Sequence, residues 1–257
     1  MTSFAGRVAV VTGGTRGIGR AVAARFEAAG ATVVTLARTE PRQAVGRFLA
    51  ADLGSRAAVR AAFATVAAEF GRVDVLVNNA GGARPGPALD YPEAAARAAF
   101  DLNVLGVLYA AQCAYPLTPE HGGAAIVNIG SVAGTRPSPG TAVYGAAKAA
   151  LAALTKSLAL EWAPRIRVNC VLPGPVLTES LTAYHGGPEA AEAVGRGLPM
   201  GRMAEPDDIA EACLFLASEQ ARHISGAELL VHGGGEVPGF NRAAREAARP
   251  RGFGEGK

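Results

Sequence analysis

Short, unbroken apolar runs alternate with stretches of helical periodicity along most of the chain. Arg7–Val11 (RVAVV), Ala31–Ala37 (ATVVTLA), Val73–Val77 (VDVLV), Ala124–Ile129 (AAIVNI), Arg167–Leu172 (RVNCVL) and Ala227–His232 (AELLVH) are too short for core helices and rich in β-branched residues. That is the pattern of strands buried on both faces, as in a parallel sheet. Arg47–Ala51 (RFLAA) is a weaker strand. Helices are predicted after the first run through Ala29, over Arg56–Phe70 with Ser55 as N-cap, from about Pro92 to Tyr115, over Ala142–Trp162 with Thr141 as cap, and over Asp207–Ala217 behind Pro206. Strands alternating with helices predict an α/β fold: a doubly wound parallel sheet with helices on both faces.

The pattern lapses twice. Only residues 39–46, with Pro41 among them, join the second run to the third. A parallel crossover usually needs about a dozen residues or more, so a minimal loop is expected here in place of a helix. Between Glu179 and Met203 the periodicity breaks around Gly186, Gly187, Pro188 and Pro199. This reads as a mobile lid of one or two short helices, residues 178–203. No repeat or composition break precedes residue 238, so one domain over residues 1–238 is expected, with a tail over 239–257.

Composition narrows the classes. The chain has 257 residues, 49% hydrophobic and 18% charged, which suits one large folded core. No continuous apolar run reaches about eighteen residues, and the N-terminus moves straight into a strand, so neither a membrane span nor a secretory signal is expected and the cytosol is the default. Cys113, Cys170 and Cys213 are too scattered for a disulfide framework or a metal site. The net charge of +3 resides in the last nineteen residues, which carry five basic and two acidic side chains. A basic tail without a nucleic-acid motif argues for no nucleic-acid partner. It is either a solvated tail or an arm that docks on a neighbouring subunit.

Chemistry collects at the carboxyl ends of the apolar runs, the edge where parallel sheets bind ligands. TGGTRGIG places Gly13, Thr15, Arg16, Gly17, Ile18 and Gly19 between strand and helix, a turn that suits a pyrophosphate at a helix start. Arg38 follows the second run where an acid would hold the ribose of NAD; with Arg16 facing it and Thr39 beside it, the 2′-phosphate of NADP(H) fits better. Asp52 and Leu53 end the third run, where Asp52 can bond an adenine amine or serve the turn. Asn79, Ala80 and Gly81 end the fourth, and Gly81 permits close approach to a flat ring. Asn103 falls inside the long predicted helix, as a satisfied core amide or as a group that holds a water or kinks the helix. Ser131 ends the fifth run. Pro173, Gly174, Val176 and Thr178 (in PGPVLT) end the sixth. Tyr144 and Lys148 lie one helical turn apart, on one face. A free phenol has a pKa near ~10, and a nearby cation lowers it.

Together these residues resemble the short-chain dehydrogenase/reductase family. TGGTRGIG is similar to its cofactor loop, NNAG to its structural motif, PGPVLT to its nicotinamide-side loop, and Asn103, Ser131, Tyr144 and Lys148 to its catalytic tetrad, over about residues 5–235. The resemblance implies a Rossmann-type sheet of about seven strands and a homotetramer or homodimer. It implies nicotinamide-dependent interconversion of a ketone, or a β-ketoacyl group, and a secondary alcohol; Arg38 with Arg16 makes the expected nucleotide NADP(H). In that scheme Ser131 binds the substrate oxygen and Tyr144 is the general acid or base. Lys148 lowers the phenol's pKa and bonds the nicotinamide ribose, and Asn103 holds a water. Two other readings stand beside it. An NAD-dependent secondary-alcohol dehydrogenase is opposed by Arg38, and a non-catalytic nucleotide sensor by the pairing of Tyr144 with Lys148.

The general likeness is to 3-oxoacyl-(acyl-carrier-protein) reductases. TPEHGGAA before the fifth run carries no Lys or Arg, which argues against a carrier-protein partner and for a small carbonyl or alcohol substrate. Arg136 is either a solvated loop charge or a contact for an acidic substrate. Leu181, Tyr184 and His185 suggest a mixed pocket wall. His232 stands where many relatives carry an acid, and is expected to be an edge or surface imidazole.

Overall fold

A computed structural model describes residues 3–235. Seven strands form one all-parallel sheet in the order β3-β2-β1-β4-β5-β6-β7: β1 (Val8–Thr12), β2 (Thr32–Ala37), β3 (Arg47–Ala50), β4 (Val75–Asn78), β5 (Ala124–Ile129), β6 (Ile166–Pro173) and β7 (Glu228–Val231). β1, β4 and β5 are buried at every position, which is why their sequences run apolar without alternation. Strand order reverses between β1 and β4, so the crevice above these strands is the sheet's natural ligand site.

Helices cover both faces. On one, α2 (Arg56–Phe70), α4 (Gly106–Ala114) and α5 (Ala142–Glu161) pack on Val10, Leu36, Leu76, Ile126 and Val168. On the other, α1 (Gly17–Ala28) and α8 (Pro206–Ala217) pack on Ala9, Val11, Val75, Val77 and Val127. Phe26 of α1 is fully buried and meets Phe4 edge-on at 4.9 Å.

The expected helix from Pro92 to Tyr115 is not continuous. It comprises α3 (Glu93–Phe100), a π-helical segment Asp101–Leu105, α4, and a 3-10 turn Tyr115–Leu117. Gly106 N bonds Asp101 O, five residues back, which marks the widened turn. The span Glu93–Leu117 is long and apolar enough to cross a membrane by composition, but Ala110, Ala111 and Ala114 pack in the core, and this is a core helix. Thr141 sits at the N-cap of α5 but does not cap it; its hydroxyl pairs with Ser138 Oγ at 2.6 Å. Ser55 does cap α2, accepting from Ala58 N.

No helix joins β2 to β3. The intervening loop covers the sheet itself, with Val45 packed against the α1-side core and Gly46 seated on Val33. A Cβ on Gly46 would fall 2.2 Å from the Val33 carbonyl oxygen, and its φ of +64° independently favours glycine. The segment after β6 forms α6 (Glu179–His185) and α7 (Pro188–Arg196). Ala191, Leu198 and Met203 form a small core there, apart from the two main ones. The basic tail lies outside the described residues.

Candidate active site

The first wall of the crevice is tied together by one hydroxyl. Thr12 Oγ1, at the end of β1, accepts from Asn79 N and Ala80 N, both at 3.0 Å. Asn79 Nδ2 returns two bonds, to Thr12 O at 3.0 Å and Gly13 O at 3.1 Å. This clamps the glycine turn against the end of β4. A Cβ on Gly13 would lie 2.8 Å from Asn79 Nδ2, and one on Gly19 would lie 2.1 Å from Gly13 O, so only glycine lets α1 start this close. The first turn of α1 carries no acid, and Arg16 at its N-cap makes no side-chain cap bond. The leading N–H groups and the positive dipole end are left for an anion.

The second wall is set by a buried polar chain. Asn78 Nδ2 donates to Asn128 Oδ1, Asn128 Nδ2 to Thr155 Oγ1, and Thr155 Oγ1 to Leu151 O, each at 2.9 Å. It joins β4, β5 and α5, and so fixes α5 over the end of β5. Asn78 Oδ1 is buried with no partner among the described residues. Ser131 follows β5 in extended backbone and accepts from Ala133 N at 3.1 Å. Gly134 and Gly145 let this turn press onto α5: a Cβ on either would meet backbone across the contact at 2.7 Å. Ser131 and Tyr144 are thereby brought to the same spot.

Asn103 is fully buried. Its Oδ1 accepts from Gly82 N at 3.1 Å, and its Nδ2 donates to Gly82 O and Ala99 O, both at 2.7 Å. Ala99 O is the carbonyl that an α-helical N–H at position 103 would take, so the side chain's use of it accompanies the π turn. A Cβ on Gly81 would fall 2.8 Å from Asn103 Oδ1 and 3.0 Å from Lys148 Nζ. Gly81 is the spacer between them.

Lys148 is 3% exposed, and its Nζ donates to Ile129 O at 2.7 Å. Burial pulls its pKa down to about 8, with the nearby Cys170 thiol acting the other way. Tyr144 does not show the lowered pKa expected from its neighbour: burial pushes the phenol up, and a hydrogen bond with Ser131 only opposes this. The Lys148 ammonium lies 5.7 Å from the Tyr144 ring centroid and is directed at a strand carbonyl instead. Desolvation outweighs the cation at that distance.

These walls enclose a cavity of about 1190 Å³. It runs from Gly13, Thr15, Arg16, Gly17 and Ile18, past Arg38, Thr39, Asp52 and Leu53, to Asn79, Ala80 and Gly81, and ends at Ser131, Tyr144, Lys148, Pro173, Gly174, Val176 and Thr178. Gly19 and Asn103 do not line it; they stand behind its wall. Arg16 and Arg38 are exposed, and neither guanidinium has a hydrogen bond or ion pair with the described residues. Asp52 Oδ1 accepts from Gly54 N at 3.1 Å, which is the turn role. Arg136, Leu181 and Tyr184 also line the cavity. Ser138 and Ser180 were not singled out from sequence; Ser180 follows PGPVLT by two residues, the one signal that could have found it.

Comparison with known proteins agrees on the class. A family model described as enoyl-(acyl carrier protein) reductase matches residues 13–236. D-threitol dehydrogenase of Mycolicibacterium smegmatis is 38% identical over 241 residues, covering 89% of this chain and 92% of that protein. A solved short chain dehydrogenase/reductase family protein is 38% identical with a TM-score of 0.80, covering 90% of this chain and 98% of the other. The Pseudomonas aeruginosa RhlG/NADP active-site complex is 33% identical with a TM-score of 0.83, covering 90% and 97%.

Proposed function

This chain belongs to the short-chain dehydrogenase/reductase family and is an oxidoreductase acting on alcohol and carbonyl groups, and we propose that it is an NADP(H)-dependent ketone reductase with Tyr144 as general acid. One observation carries this reading: Tyr144 and Lys148 of α5 meet Ser131 of the β5 end in a cavity that begins at an anion-ready helix start. Gly13 and Gly81 line the cavity, and with Gly19 behind them they let the turn, α1 and the end of β4 close up on one another, which leaves backbone at the surface a nicotinamide nucleotide would use. Such a nucleotide, when bound, supplies the hydride.

The chain's own residues do the rest. Arg16 and Arg38 bind the 2′-phosphate, and Thr39 adds a hydroxyl. The Ser131 hydroxyl donates to the substrate oxygen. Tyr144 gives that oxygen its proton during reduction, or removes one during oxidation. Lys148 supplies positive charge beside the phenolate; its bond to Ile129 O leaves two N–H donors for ribose hydroxyls. Asn103 acts as a positioning residue that holds Gly82 and the π turn. Residues 1–238 act as one catalytic unit in the cytosol, with 178–203 as its lid. Apolar side chains exposed on α5, α8 and β7 (Leu160, Phe215 and Leu230) support assembly as a homotetramer or homodimer.

Tyr144→Phe tests the assignment. Turnover is lost while NADPH binding, followed by its fluorescence, stays within a few-fold; retained activity refutes the role. A second reading is oxidation of a secondary alcohol with NAD; the likeness to a D-threitol dehydrogenase favours the alcohol as substrate and says nothing of the nucleotide. Comparing kcat/KM with NADPH and NADH decides between them, and a clear NADH preference overturns the first reading.

A further inference from the structure

The loop that leads into α5 reads Ser138-Pro139-Gly140-Thr141. Proline second and glycine third is the sequence of a type II turn. Its closing bond is present, Thr141 N to Ser138 O at 3.1 Å, and Gly140 takes the positive φ that such a turn requires, +75°. Gly86 N donates to Gly140 O at 2.8 Å, which ties the turn to the segment after β4. A turn of this kind holds its first and fourth residues side by side. Here both carry hydroxyls, and both line the large cavity.

Thr141 stands at the N-cap of α5, where its hydroxyl could accept from a backbone N–H of the first turn. It forgoes that bond and pairs with Ser138 Oγ at 2.6 Å. A further contact of Thr141 Oγ1, with Ser138 O at 3.5 Å, is long for a hydroxyl bond. Each hydroxyl brings one O–H donor and two lone pairs, and their mutual bond uses one of each. The pair therefore retains a donor as well as acceptors. Thr141 lies three residues before Tyr144 and Lys148 four after it, so the three share one helical face. Ser138 packs beside this row, since a Cβ on Gly145 would lie 3.4 Å from Ser138 Cβ. The hydroxyl pair thus continues the row beyond Tyr144, on the side away from Lys148. Among the described residues, the carboxylates on the cavity wall are Asp52 and Asp101. They stand together at its other end, where a Cβ on Gly54 would lie within 4 Å of both. Next to the reacting group the wall offers hydroxyls and no acid.

We propose that the Ser138–Thr141 pair binds a hydroxyl on the carbon next to the reacting one, and that the substrate is a vicinal hydroxyketone. The proposal rests on the ketone-reductase reading above and names its substrate class. The carbonyl oxygen lies against Ser131 and Tyr144, while the neighbouring hydroxyl donates to one member of the pair and accepts from the other. A hydroxyl is the group that matches, because it donates and accepts at once; a carboxylate only accepts and an ammonium only donates. In reduction the C=O bond gains a hydride at carbon from the reduced nicotinamide and a proton at oxygen from Tyr144, which is reprotonated from solvent. The second hydroxyl is unchanged, and the product is a vicinal diol. The reverse reaction consumes such a diol.

The test uses the holoenzyme with butan-2-one, 1-hydroxybutan-2-one, 3-hydroxybutan-2-one and 4-hydroxybutan-2-one. The first lacks the second hydroxyl, and the last carries it one carbon too far. The better of the two vicinal hydroxyketones exceeds both in kcat/KM by roughly tenfold, because an analogue without the hydroxyl leaves the pair's polar groups unmatched. In Ser138→Ala combined with Thr141→Val that ratio falls by about the same factor. The intrinsic reactivity of the ketones is the same for both proteins, so the fall measures the contact. Calorimetric titration of the protein loaded with oxidised nucleotide, where no ketone can be reduced, gives a second readout that does not need turnover. Equal binding and equal kcat/KM of butan-2-one and both vicinal hydroxyketones in the unaltered enzyme overturn the proposal and leave the reductase reading standing. An unchanged preference in the double variant overturns the assignment to Ser138 and Thr141. Failure of NADPH and NADH alike to bind overturns the parent reading instead.

Discussion

Lys148 should cost the fold stability, and the cost should vanish at high pH. Its pKa falls from 10.5 to about 8 on folding because a nearly fully buried ammonium loses its water, with Ile129 O as its hydrogen-bond acceptor. At ~1.4 kcal/mol per pKa unit, a drop of this size is worth roughly 3 kcal/mol. The sign follows from proton counting. Between pH 8 and 10.5 the unfolded chain holds a proton that the native protein has released, so stability rises with pH across that window. The cost is fully present below about pH 8. Lys148→Met removes the titration. It also leaves Ile129 O without its donor, at about 1–3 kcal/mol, but that loss does not depend on pH. Urea unfolding of both proteins at fixed protein concentration, from pH 7 to 10.5, isolates the lysine as the pH-dependent difference. The wild type should gain roughly 3 kcal/mol on the variant across this range. Parallel curves would refute the reasoning and show that the buried amine is not held against its charge.

Arg38→Asp should lower the NADPH-to-NADH ratio of kcat/KM by roughly tenfold to a hundredfold, since it removes a charge-assisted contact to a 2′-phosphate; an unchanged ratio excludes Arg38 from that role. Asp74 is buried, accepts from Val8 N at 2.8 Å and pairs with Arg72, so Asp74→Ala should cost about 1–3 kcal/mol in urea unfolding by orphaning the β1 amide. A Cβ on Gly106 would fall 2.2 Å from Leu53 O, a backbone atom that cannot swing aside. Gly106→Ala should therefore cost about 1–3 kcal/mol and weaken nucleotide binding by displacing the Asp52–Leu53 turn, measurable by thermal unfolding and by NADPH titration.

The strands were legible because a strand buried on both faces can only be a continuous apolar run; β5 spans the residues its pattern predicts. The absent helix between β2 and β3 was legible for a different reason: too few residues join them. A disturbance of the helix at Asn103 was one of the readings its sequence position allowed, but that it is a π turn was not legible. Its residues keep helical periodicity, and only the Asn103 side chain's hold on Ala99 O and Gly82 reveals the extra width. The direction of the Lys148 ammonium was equally hidden. Spacing places it on the face of Tyr144, but no spacing rule says that Ile129 O lies nearer. Thr141 had a capping residue's position and chemistry, yet Ser138 offered its hydroxyl a closer partner. His232 does stand at the end of the edge strand, but the pattern around it cannot show that Gly174 sits beneath it.

The loop between β2 and β3 has a bearing on how this protein could change. It takes the place of a helical layer with two seats on the sheet, Val45 packed half-buried against the apolar core and Gly46 over Val33. Residues 38–44 between β2 and those seats are exposed or partly so. A stretch anchored at one end by the strand and at the other by two residues can be rewritten as a cassette. Nucleotide choice would then be open to selection, or to grafting, without disturbing the sheet that carries the reacting groups.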